Sequence, residues 1–423
     1  MNKCQEEVML EFCQLSQQEY DAFQKVHPYR NFMNTVKAME VKLHNGWAVE
    51  YVGVKKDGQL VCATPLTSIP VMKIYRYFYA QRGFLMDYAD QEVLDFFAKN
   101  LKKHCKKQKG LYLVCDPNVM YKERDIDGNL VEGGFDHSYV VDHMIKAGFE
   151  HQGFTIGYND VSQVRWMFSL YLDGKDEKTI LKQCHQQTRW SINKTLKQGI
   201  EVREMSLDEM DIFYRMMDET AKRRGFAERE HEFYRSQMEI YGDMGKLLVA
   251  YLDVQDFRQK NQLEKEQLDI EMAEVEKKLE AVANSKKFLK KKKVLMEAYQ
   301  LNEKKQKEAD ELEEKYGSVI YMASTYFVIN DNEITYLYSA TDDTFRKYNA
   351  PYALQWYMIR YGLEHHIPKY NFYGISGNFD KEAVDYGVYD FKRGFNGVVE
   401  ELVGEFVLPI NPRMYNLYKS IKK

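Results

Sequence analysis

From position 253 to position 316, 64 residues pass without a glycine or a proline, and apolar side chains recur at Leu268, Met272, Val275, Leu279 and Val282. Spacings of four and three are the seam of a helix that packs against another helix. The second half of the segment is weaker. Leu295, Ala298, Ala309, Leu312 and Tyr316 share one seam only if Asn302 and Lys305 are accepted in it. The turn-like pair Asn284-Ser285 sits at the midpoint. The pattern predicts two antiparallel helices of about 30 residues, an arm roughly 45 Å long at about 1.5 Å per residue. One long helix is the competing reading. The flanking segments look like paired strands whose ends must stay close, which favours the hairpin.

Outside the arm the pattern repeats. Residues 47–65 alternate as two strands around Asp57-Gly58, a strong hairpin signal. A Tyr- and Phe-rich strand (74–85), a helix (90–108) and a strand (110–115) ending at Asp116-Pro117 follow. The second half has strands at 246–252, 318–329 and 333–339, a helix at 350–364 and a strand at 370–375 ending at Ser376-Gly377. Each copy closes alike, with Ala147-Gly148-Phe149 or Arg393-Gly394-Phe395. The arm falls where the first copy has its Asp-Gly turn, because a helical hairpin brings its two ends side by side. The expected fold is α+β: a first module over 1–160, a second over 161–252 and 317–423, and the arm inserted at 253–316.

Charge refines this picture. The 60 Lys+Arg and 64 Asp+Glu leave a net charge of −4, which excludes a body-wide basic surface but not a local patch. Residues 285–293 carry six lysines and no acid: Lys286, Lys287, Lys290, Lys291, Lys292 and Lys293. Both flanks of the arm are acidic. The tip is either a solvated face or a polyanion contact held away from the body. Six cysteines without a CxxC pair or Cys/His ligand spacing predict reduced thiols and no metal site. Gln and Glu stand where a signal peptide would be apolar, and no run of about 18 apolar residues occurs. A cytoplasmic protein is expected, free to touch the inner face of a membrane.

The duplicated order resembles two acyltransferase modules of the GNAT type. The Q/R-x-x-G-x-G/A loop that holds the CoA pyrophosphate is missing, and the glycines of 374–377 and 394–397 have the wrong spacing. No CoA cofactor is expected. Several motifs then stand in order: Asn31-Phe32-Met33 through Val41-Lys42 to Gly46-Trp47; Thr188-Arg189-Trp190-Ser191-Ile192-Asn193-Lys194 leading to Gln198-Gly199-Ile200; 350–356 (APYALQW); Tyr370 with Gly374-Ile375-Ser376-Gly377; and Phe391-Lys392-x-x-Phe395. This ordered set, with the arm interrupting the second module, resembles the FemABX family of nonribosomal peptidyltransferases. The resemblance implies transfer of Gly, Ala or Ser from aminoacyl-tRNA to the stem-peptide amine, or a growing branch, of lipid II or UDP-MurNAc-pentapeptide. It also admits a paralogous Fem-type partner.

An aminoacyl ester is already activated, so no Ser or Cys nucleophile is needed. The acceptor amine, with an ordinary pKa of about 10.4, must lose a proton before attack, and the ester oxygen becomes an oxyanion. By resemblance, Phe391-Lys392 sits at the acyl-transfer centre, with Lys392 stabilising the tetrahedral intermediate. Asp116 matches a carboxylate that serves as base or as positioning group. The tRNA's terminal hydroxyl is the other candidate for proton removal. Lys42 matches a lysine on the acceptor's diphosphate, and one of Arg189, Lys194 and Lys197 is expected to reach the same phosphates. The six tip lysines are the candidates for tRNA. Two other readings stay open: a non-catalytic coiled-coil interaction protein on this scaffold, and a GNAT enzyme with another donor.

Overall fold

The computed structural model describes residues 9–158, 162–225 and 229–422. The Asp57-Gly58 turn forms with φ of 51° and 81°, the left-handed pair that a two-residue hairpin of this twist requires. It joins Ala48–Lys56 to Gln59–Val71 in an antiparallel ladder. The first sheet runs, in order, Leu10–Gln14, Ala48–Lys56, Gln59–Val71, Tyr75–Ala80, Gly110–Cys115, Phe406–Pro409 and Glu150–His151, with Leu85–Met86 on the side of the third. The second runs Glu201–Glu204, Gly245–Asp253, Val319–Ile329, Ile334–Thr341, Lys369–Ile375, Trp166–Tyr171, Val398–Leu402 and Met120–Glu123.

Each sheet has one parallel pair at its centre, Tyr75–Ala80 with Gly110–Cys115 and Ile334–Thr341 with Lys369–Ile375. A parallel pair needs a crossover, and the helices Gln91–Lys107 and Ala350–Glu364 supply one each. The duplication is therefore spatial as well as sequential, an α+β fold of two GNAT-like modules.

The division read from the sequence needs one correction. Trp166–Tyr171 lies in the second sheet, inside the expected second module, but Phe406–Pro409, expected there too, lies in the first sheet, and Met120–Glu123, expected in the first module, lies in the second. The two modules thus exchange these two strands. Residues 406–422 pack with the first module, where Tyr415 on the closing helix Pro412–Lys422 meets Tyr112 at 4.8 Å between ring centroids. Met120–Glu123 pairs in the other direction, against Val398–Leu402. Each module has its own apolar core, and a third cluster joins Phe32, Met33 and Met39 to Met210, Phe213, Tyr241 and Tyr326 across the halves.

The arm is two helices, Val254–Ala281 and Lys286–Tyr316, spliced between Gly245–Asp253 and Val319–Ile329, which pair side by side. Leu268, Val275 and Leu295 form its buried seam. Asn302 does lie in that seam, 5% exposed, and its Nδ2 donates to the Asn261 carbonyl at 2.8 Å. Lys305 leaves the seam edge to meet Glu264 at 2.6 Å. Val282 falls beyond the end of the first helix and is exposed, so it is not a seam residue. Tyr316 is also mostly outside the seam and packs on Phe345 at the body.

Candidate active site

The short helix Tyr386–Arg393 turns two side chains inward, Tyr389 and Lys392, three residues apart on one face. Lys392 is 5% exposed and its Nζ donates to the carbonyl oxygen of Gly374 at 2.6 Å. Burial alone lowers its pKa to about 7, because removing water penalises the ammonium form. Gly374 lies near the end of Lys369–Ile375, after Tyr373 in the left-handed region (φ 64°). A Cβ at position 374 would stand 2.8 Å from the Val164 side chain, so glycine is required there. Phe391 is wedged beside Tyr352 and Phe395, at 4.9 and 5.7 Å between centroids.

Val164 links this corner to the first module, because its carbonyl accepts from Nη2 of Arg82 at 2.9 Å. Arg82 is 2% exposed and follows Tyr75–Ala80 with a positive φ of 50°. Its backbone N–H donates to Asp116 Oδ1 at 3.0 Å, and its Nη1 stands 3.3 Å from Oδ2, an ion pair without a well-directed hydrogen bond. Burial pushes the Asp116 carboxyl up, and Arg82 only partly opposes this. Glu405, in the crossover from Val398–Leu402 to Phe406–Pro409, shares a cleft with Arg82, Asp116 and Arg165. Burial and the nearby Asp116 raise its pKa to about 7.

Lys42 sits in the last turn of Val36–His44, with Nζ 4.5 Å from the Trp47 ring centroid and 5.6 Å from that of Tyr79. Burial lowers its pKa; Asp116 works against this and Arg229 adds to it. Lys42 thus feels a repelling cation as well as an attracting carboxylate, a setting that favours a bound anion.

The FemAB family model matches residues 15–423. The chain is 35% identical over 415 residues to the aminoacyltransferase FemA of Staphylococcus aureus strain bovine RF122 / ET3-1, covering 98% of this chain and 99% of that one. FemA of strain N315 matches to the same extent. A crystal structure of FemX superposes with a TM-score of 0.83 at 25% identity, over 96% of this chain and 99% of that one. The chain belongs to the FemAB family.

In this FemAB protein the expected site residues divide into groups. Lys392, Gly374, Val164, Arg82 and Asp116 form one connected path across the two modules, with Lys42 and Arg229 at its first-module end. Arg189, Lys194 and Lys197 contact neither Lys42 nor Asp116 among the described residues. Arg189 donates to the Lys182 carbonyl, and Lys194 donates to the Lys347 carbonyl at 2.7 Å beside the base of the arm. Lys197 is exposed. Their helix, Gln186–Lys197, packs on the helix Ala350–Glu364, and Arg229 is the second cation whose charge acts on Lys42. Of the tip lysines, Lys291 and Lys292 are tied to Glu271 (3.1 Å) and Glu276 (2.8 Å), and Lys286, Lys287, Lys290 and Lys293 remain exposed. Among the described residues no helix is long and apolar enough to cross a membrane.

Proposed function

We propose that this FemAB protein is an aminoacyltransferase that moves Gly, Ala or Ser from aminoacyl-tRNA onto the stem-peptide amine, or the growing branch, of lipid II or UDP-MurNAc-pentapeptide. The observation that carries the reading is the path from Lys392 to Asp116 in a chain of this family. It links a buried amine on the second module to a buried carboxylate at the end of a first-module strand. The acceptor nitrogen attacks the acyl carbon, the C–O bond to the tRNA ribose breaks, and the ribose hydroxyl leaves with a proton. Lys392 in its ammonium form donates to the oxyanion that forms in between. Lys42 and Arg229 take the acceptor's diphosphate. Asp116, held by Arg82, positions the incoming amine.

The exposed lysines of the arm tip face the tRNA, whose phosphates they meet at a distance from the body. We place the protein in the cytoplasm with peripheral contact at the inner membrane face, where a lipid-linked acceptor would lie, and with a paralogous Fem-type protein as a further partner. The test supplies charged tRNA and either precursor, and follows labelled amino acid into the acceptor. Absence of transfer from several charged tRNAs would remove the reading.

A further inference from the structure

The helix that carries Lys392 is only eight residues long, and its N-cap, Asp385, makes no side-chain cap hydrogen bond. A helix this short has little stability of its own, so its position is set by what it touches. The irregular stretch before it includes a fully exposed Val384. Lys392 and Arg393 are neighbours in its last turn, about 100° apart around the axis, and they point in different directions. Lys392 goes inward to Gly374. Arg393 goes outward to Asp127, with Nη2 at 2.6 Å and Nε at 2.8 Å from Oδ1.

Asp127 belongs to the first half of the chain. Its loop is built to be stiff. Asp125 Oδ1 accepts the N–H groups of Asp127 (2.8 Å) and Asn129 (2.9 Å), and Gly128 supplies the left-handed φ of 80°. Arg124 closes the loop from below, donating to the Gly128 carbonyl at 3.1 Å and pairing with the buried Glu401 at 2.6 Å. The loop holds the helix at one further point and the stretch before it at another. The Tyr389 hydroxyl donates to the Ile126 carbonyl at 2.5 Å, and Gly128 lies so close to the Phe379 ring that a Cβ there would stand 2.2 Å from it. The stretch that holds this loop begins at Asp116 and passes through the strand Met120–Glu123, which pairs with the second sheet. One short segment therefore fixes Asp116 at one end and the Lys392 helix at the other.

We infer that the loop around Asp127 is a latch that sets the position of Lys392 for transfer, with Asp127 and Arg393 as its positioning residues. The inference rests on the proposed role of Lys392 in acyl transfer. An ion pair this exposed adds little to folding stability, so its loss acts on geometry more than on the fold. A displacement of about 1 Å at a reacting centre can cost on the order of a hundredfold in rate.

The experiment compares the full-length wild type with Asp127→Asn, with the charge-reversed Asp127→Arg and Arg393→Asp, and with the double exchange, using charged tRNA and the precursor. We expect Asp127→Asn to lower kcat about tenfold, with KM for both substrates within about twofold and Tm within about 2 °C of wild type. The single reversals should lose more, and the double exchange should recover most of kcat. An unchanged kcat in Asp127→Asn overturns the inference. So does a loss that follows Tm or KM, or a double exchange no better than the singles. Lys392→Ala, measured alongside, separates the two levels: if it keeps wild-type kcat, the catalytic reading itself fails, whatever the latch variants do.

Discussion

The Nζ of Lys392 lies 2.6 Å from the carbonyl oxygen of Gly374, in a site where burial alone brings its pKa to about 7. The folded pKa is below the unfolded value of about 10.4, so between these two values the unfolded chain binds the extra proton. Stability then rises with pH through that window. At or below pH 7 the buried amine costs on the order of 5 kcal/mol relative to an unshifted lysine, and the cost fades as pH approaches 10.5. Lys392→Met should therefore raise Tm most at pH 6 and least at pH 10. Part of the gain is lost with the hydrogen bond to Gly374, whose oxygen keeps the Tyr158 hydroxyl at 3.3 Å. Thermal melts of the two proteins across this range check the sign.

A second pH effect runs the other way. Glu405 is raised to about 7, first by burial and then by Asp116. A carboxyl raised above its unfolded value favours the folded state at low pH, and that stability is lost as pH climbs from about 4.5 to 7. Glu405→Gln should raise Tm at pH 8 and change it little at pH 4. An equal shift at both values would show that the carboxylate is not strained by its surroundings.

Among the described residues Arg82 is the largest fully buried side chain, and it joins Val164 to Asp116. Removing one partner of a buried ion pair leaves the other charge without compensation, a loss of about 3–5 kcal/mol. Arg82→Met should cost about that much in urea unfolding, and Arg82→Met with Asp116→Asn should cost less than the single change. A double variant as unstable as the sum of its parts would contradict the pairing.

The tip lysines are unequal. Lys286, Lys287, Lys290 and Lys293 are exposed, and Lys291 and Lys292 already have acidic partners on the other helix. Replacing the first four with Gln should weaken tRNA binding and reduce the slope of log Kd against log salt by about 2–4, whereas Lys291→Gln with Lys292→Gln should change it by less than about 1. Lys286 and Lys287 also sit at the N-terminus of their helix, where positive charge is unfavourable, so the same Gln changes should make the arm slightly more stable. Fluorescence titrations at several salt concentrations read both effects.

Much of the fold was readable because its elements carry strong local signals. The helix Ala350–Glu364 and the strand Gly110–Cys115 lie where periodicity and turn residues placed them. The arm's weaker half was legible too, once Asn302 was accepted in the seam, and the hydrogen bond to Asn261 explains why a polar residue is tolerated there. The exchange of Met120–Glu123 and Phe406–Pro409 was not readable, because a short strand does not say which sheet it will join. Motifs marked Lys392, Asp116 and Lys42 as candidates, and Lys392 and Asp116 are buried while Lys42 is half-buried. Arg82, Glu405 and Arg229 carried no local pattern and acquire their places only through long-range packing. Arg189 and Lys194 were candidates by resemblance, and in the fold Arg189 donates to the local Lys182 carbonyl and Lys194 to that of Lys347, contacts that no sequence pattern announces.

The most direct test is transfer itself. Wild type and Lys392→Ala are each given labelled aminoacyl-tRNA and lipid II or UDP-MurNAc-pentapeptide, and labelled product is measured by mass. Wild type is expected to put one amide-linked amino acid on the acceptor, and Lys392→Ala to do so at a rate lower by at least about a hundredfold. Equal rates for the two proteins, or no product from either, would contradict a transfer role for Lys392.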